Sequence, residues 1–119
     1  MGDLVVTVPK TEWSNWLAEG DWAGYPATGT EYVFMMYGKK PNISPGNRLY
    51  VVAHERLRGW APVVAVRHRI IGERTQWGVF RRGGAVACTL PERIKGFRGF
   101  RYPWFQRDDL IEFPDWRTP

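Results

Sequence analysis

Cysteine is almost absent: Cys88 stands alone in 119 residues, so no internal disulfide can staple the chain. Its neighbours Val86, Ala87, Thr89 and Leu90 read as a strand, which predicts a buried, inert thiol rather than a nucleophile. The expected compartment is the reducing cytoplasm. Histidine is scarce too. His54 and His68 are 14 residues apart, with no second cysteine or patterned carboxylate cluster beside them, so no metal site is expected. No apolar run approaches the ~20 residues that span a bilayer, and Met1-Gly2-Asp3-Leu4-Val5-Val6 is too soon interrupted for a signal peptide, so neither membrane insertion nor export is expected. Gly-rich phosphate loops, Gly-x-Ser-x-Gly elbows and dinucleotide fingerprints are missing, which disfavours nucleotide-driven and ordinary serine-hydrolase chemistry and leaves no cofactor to expect.

What is present is positive charge and aromatic rings. Seventeen Lys and Arg against 12 Asp and Glu leave a formal charge of +5, and the chain holds 7 tryptophans. Several sit close to arginine, as in Arg58-Gly59-Trp60, Trp77 before Arg81-Arg82, and Arg101-Tyr102-Pro103-Trp104. Planar guanidinium groups suit phosphates and stack on rings, so this interleaving points to nucleic acid. The plainer account is that tryptophans fill a small core while arginines solvate its surface. The length suits one domain able to bury a core without disulfide or metal.

Along the chain, the run 4–8 is β-rich and is stopped by Pro9, which predicts a helix over 9–19 with Trp13, Trp16 and Leu17 on one face and Gly20 as its C-terminal cap. Residues 21–30 read as a loop and 31–37 as a strand. Pro45-Gly46-Asn47 predicts a turn that opens a strand near Arg48. The expected return strand begins at Val63, so His54, Glu55, Arg56, Arg58 and Trp60 fall in the connection, a density of polar groups that a purely structural turn does not need. Further on, Arg81-Arg82-Gly83-Gly84 reads as a hairpin turn pairing 74–80 with 85–90. An aromatic and basic pattern follows over 96–101, and a tail over 108–116 that closes the sheet. The expected architecture is α+β, a small bent sheet or partial β-barrel with one N-terminal amphipathic helix.

Gly38-Lys39-Lys40, the spacer 41–44, the entry Pro45-Gly46-Asn47-Arg48 into a strand and the later Gly59 resemble the ASCH domains of the PUA-like superfamily over roughly residues 31–70. The resemblance implies a barrel-like fold with a cleft beside the glycine-lysine loop, used for RNA or an unusual nucleobase. Where the amidohydrolase branch of that family has a threonine three positions after the lysine, this chain has Asn42 or Ile43, and Asn47 stands where aspartate is common.

Three functions follow as expectations. The first is a module that binds RNA, or single-stranded or modified-base DNA, with Lys39, Lys40, Arg56 and Arg58 on phosphates, Trp60 stacked on a base, and Arg81 and Arg82 as a basic finger. The second is a small nucleoside amidohydrolase or ribonuclease, with His54 and Glu55 as acid and base beside Lys39 or Lys40. The third is a phage or mobile-element protein that binds a host protein through an exposed apolar patch.

Overall fold

The computed structural model describes residues 2–20 and 31–119. Strand β1 (Leu4–Thr7) is a β-branched run that ends at Pro9, whose φ of −67° starts a 3-10 turn over Lys10–Glu12. The α-helix α1 (Trp13–Glu19) follows, so the helix expected over 9–19 is α-helical only in its second half. Gly20 closes it at φ 65°, with its N–H on the Trp16 carbonyl. The loop expected over 21–30 lies outside the described residues.

Strand β2 (Tyr32–Tyr37) leads through the Gly38-Lys39-Lys40 segment to the turn at 44–47. There Gly46 takes φ 92°, and Ser44 and Asn47 exchange hydrogen bonds of 3.0 and 2.9 Å, as proline followed by glycine dictates. Strand β3 (Arg48–Ala53) turns at His54-Glu55 into β4 (Arg56–Pro62). Both turn residues hold positive φ, 49° and 61°, as a two-residue hairpin turn requires. The expected connection over 54–62 is therefore mostly strand. Gly59 does not break it; the register slips between Val51↔Gly59 and Val52↔Leu57, which leaves Arg58 as the extra residue of a β-bulge.

The remaining strands are β5 (Ala65–Ile71), β6 (Arg74–Arg81), β7 (Val86–Ala87) and β8 (Phe100–Arg101). They complete two sheets, one ordered β7-β4-β3-β1-β8 and the other β2-β6-β5. Arg81 to Gly84 is not the expected hairpin. The segment crosses from one sheet to the other, because β6 pairs with β2 and β5 while β7 pairs with β4. The architecture is α+β, mostly strand, and the two sheets do not close into a barrel.

The five-stranded sheet is covered on both faces. Leu4, Val6, Leu49 and Val51 face α1 and the inner side of the three-stranded sheet, packing with Trp16, Met36, Val79 and Trp116. Val5, Tyr50 and Val52 face the other way, under Leu57, Leu90, Ile94, Phe97 and Phe105. Unbroken apolar runs such as Leu49-Tyr50-Val51-Val52 are what two covered faces demand. Cys88 is buried, and the tail joins the fold where Thr89 bridges Ile111 and Trp116 enters the core. Among the described residues no helix is long and apolar enough to cross a membrane.

Candidate nucleic-acid interface

The residues expected to form one site are distributed over the molecule. His54 and Glu55 line a cleft of about 350 Å³ with Thr7, Lys10 and Gly96, and the His54 ring meets Trp13 edge-on at 4.9 Å. An imidazole, a carboxylate and an ammonium group around one cleft are components of acid–base chemistry. Lys39 and Lys40 do not line it. Both are exposed on the loop after β2, where Lys40 Nζ lies 5.7 Å over the Trp77 ring and Trp77 Nε1 donates to the Gly38 carbonyl.

Arg58 is a tie in the core and not a surface cation. Only 2% exposed, it donates from Nε to the Ala53 carbonyl at 2.8 Å and from a terminal nitrogen to the Thr118 carbonyl at 2.6 Å. The bulge at Val51/Val52 turns its side chain inward, where it stacks between Trp13 and Phe113. Burial, and then the charge of Arg56, hold its pKa below the ordinary arginine value. Half-buried Arg56 donates to Thr89 Oγ1 and the Leu90 carbonyl and stacks on Phe113. Trp60 is half-buried, and the Arg48 guanidinium covers its ring at 4.1 Å while donating to the Tyr50 hydroxyl.

Arg81 is likewise not part of a solvated finger. It is buried in a two-bond ion pair with Glu19 of α1, at 3.0 and 2.8 Å. Strand parity explains the split between neighbours: Arg81 points to the inner side of β6, and Arg82, just past the strand, is exposed.

Parity also builds a surface that the sequence reading passed over. On β2-β6-β5 the cross-strand rows Val33–Phe80–Ala65, Met35–Gly78–Arg67 and Tyr37–Gln76–Arg69 share one face, followed by Arg74 opposite Ile71. Nothing described covers this face: Val33, Met35, Tyr37 and Ile71 are exposed on it. Arg67 stacks over Phe80 at 4.5 Å and Arg74 over Tyr37 at 4.0 Å. Arg69 Nε donates to Gln76 Oε1 at 2.7 Å, and Gln76 Nε2 donates on to the Tyr37 hydroxyl. Each of the three guanidinium groups is therefore oriented by a ring or an amide. In the middle row Gly78 has no side chain, and a Cβ there would stand 2.7 Å from the Phe80 ring. The ring lies across the glycine, and a shallow pit of about 260 Å³ opens beside it between Met35, Arg67 and Arg69.

No family model, curated protein or solved structure matches this chain. Function must be read from the surface itself. One carboxylate, Glu31, pairs with Arg67 at 3.3 Å, and both partners are solvent-exposed, so that pair holds the arginine only weakly. Gly38 bonds back to the Thr75 carbonyl next to Arg74, which sets Lys39 at the end of the face, while Lys40 lies over Trp77 on the reverse side of β6. The sequence signal was the alternation Arg67-His68-Arg69, which puts two arginines on one side of a strand, opposite a strand carrying glycine.

Proposed function

We propose that the chain is a nucleic-acid-binding module and that the open face of β2-β6-β5 is its binding surface. The observation that carries this reading is three arginines on a solvent-facing sheet, Arg67 and Arg74 posed over rings and Arg69 on the Gln76 amide, with Glu31 the one carboxylate among the described residues that pairs with any of them. The guanidinium groups take phosphates, joined by Lys39 at the end of the face, while Tyr37, Phe80 and the pit beside Gly78 offer apolar surface to unpaired bases. RNA and single-stranded or modified-base DNA share this chemistry. A kinship with ASCH-type, PUA-like domains, resting on the Gly38-Lys39-Lys40 loop and the entry at Asn47-Arg48, belongs to the same proposal.

The test is the salt dependence of binding to a single-stranded homopolymer. Each phosphate contact adds about 0.7 to the slope of log affinity against log salt. Replacing Arg67, Arg69 and Arg74 by glutamine together is expected to lower that slope by roughly 2 and weaken binding to all sequences alike. An unchanged slope in the triple variant would overturn the assignment of this face.

A further inference from the structure

A second surface, on the opposite side of the molecule, carries the same two chemical features. Residues 91–99 run over the far face of the five-stranded sheet and lead into its edge strand β8, beyond which 102–105 follow. The segment is pinned from beneath: Ile94 and Phe97 pack in the cluster around Tyr50 and Val52, Ile94 N–H bonds the Glu55 carbonyl, and Phe97 N–H bonds Thr7 Oγ1. Arg93, Lys95, Arg98 and Arg101 are exposed around these pins, against Glu92 as the one carboxylate of the stretch. The ion pairs among the described residues, Arg67–Glu31, Arg81–Glu19 and Arg107–Asp3, include none of the four.

Rings accompany the charges. Tyr102 and Trp104 are 53% and 45% exposed. Trp104 meets Phe105 of the far-face cluster nearly at right angles, at 87°, while Tyr102 meets Phe100, which packs on the inner cluster, at 84°, so the two rings flank the β8 edge of the sheet. An edge-on contact occupies at most one face of a ring. Arg101 meanwhile lies 4.3 Å over Phe97. A cationic strip with bare indole and phenol faces suits a polyanion whose bases are unpaired; duplex would satisfy the cations and leave the rings idle. The positive strip stops where Asp108 and Asp109 begin.

We infer that this segment, on the far face and β8 edge of the five-stranded sheet, is a second binding site for single-stranded nucleic acid, distinct from the open face of β2-β6-β5. The protein then holds two strand segments at once, one on each side of a body whose longest extent is 43 Å. Bases stack on Trp104 and Tyr102, and Arg98, Arg101, Lys95 and Arg93 neutralise the backbone.

Calorimetric titration with an oligothymidylate or oligouridylate of about six nucleotides, too short to occupy both surfaces, counts the sites. Two per protein are expected. Tyr102→Ala with Trp104→Ala should weaken one of them by roughly tenfold to a hundredfold and leave the other intact, and Trp104→Phe, which keeps a stacking ring, should restore most of the loss in a Tyr102 background. The Arg67, Arg69 and Arg74 triple variant should remove the other site. One site in the wild type that responds only to the arginine triple overturns this inference and leaves the sheet face standing. One site that responds only to the Tyr102 and Trp104 variants upholds binding by the segment 91–105 and overturns the sheet face. No binding by the wild type overturns both.

Discussion

Leu49 to Ala53 of β3 are buried without a break, whereas β2 alternates, with Val33, Met35 and Tyr37 in solvent and Met36 in the core. The five-stranded sheet lies between two layers; among the described residues nothing covers one side of the three-stranded sheet. Arginines of both sheets touch aromatic rings, yet Arg58 in the first has its bonds filled by the Ala53 and Thr118 carbonyls, while Arg67 and Arg74 in the second lie over rings at the surface. Proximity of arginine to tryptophan along the chain therefore does not identify a binding site. The number of covered faces decides whether such a group fastens the fold or meets a partner.

The largest effect that would sharpen this contrast is at the buried pair joining α1 to β6. Glu19→Gln leaves the Arg81 charge uncompensated at side-chain exposures of 2% and 7%, and should cost about 3–5 kcal/mol of unfolding free energy in urea. Replacing both residues by leucine and methionine should recover most of it. A loss below about 1 kcal/mol for Glu19→Gln would show that the pair is not desolvated as described.

Next come the two glycines that stand mid-strand in the two sheets. A Cβ on Gly59, at φ 147°, would lie 2.2 Å from the Val86 carbonyl oxygen, which is backbone. On Gly78 it would meet the end of the Phe80 side chain, which can swing away. Gly59→Ala should therefore destabilise by roughly 3 kcal/mol or more. Gly78→Ala should cost less than about 1.5 kcal/mol but disturb the Phe80 platform and weaken strand binding. Equal costs in thermal unfolding would erase the distinction between a covered and an open sheet.

The smallest effect concerns alkaline pH. Burial raises the Tyr50 pKa above its ordinary 10.0, and burial followed by the charge of Glu19 does the same for Tyr32. A phenol that holds its proton more tightly when folded stabilises fully below the unfolded pKa, and that contribution is lost as pH rises through the folded value. Stability should fall from about pH 10 upward. Tyr50→Phe should cost roughly 1 kcal/mol at neutral pH, through the lost hydroxyl acceptor of Arg48, and should flatten the alkaline fall without abolishing it. An unchanged alkaline profile in this variant would remove Tyr50 from the explanation.

Much of the frame was legible in local chemistry. The turn at 44–47, β1, β2 and β6, and the burial of Cys88 all follow from proline, glycine and β-branched runs. Illegible were the features set by distant partners. Gly59 and its polar neighbours look like a connection until β3 and β7 flank them, and nothing near Arg81 announces Glu19, 62 residues away. For the same reason three of the expected site arginines belong to the fold. Arg56, Arg58 and Arg81 are tied to segments remote in sequence, while Arg67, Arg69 and Arg74 gain importance because none of the described segments covers them.

The placement of β1 has a consequence for how the chain assembles. It runs parallel to β3 on one side and antiparallel to β8 on the other, with Val5 opposite both Tyr50 and Arg101. Strand β1 is thus an interior strand, and its second neighbour, β8, is made long after it. The hairpins β3–β4 and β5–β6 can close locally, but the apolar run Leu4-Val5-Val6 must wait with both edges unpaired. Loop closure over most of the chain makes this step the slow one. During translation, that waiting strand is the point at which misassembly would begin.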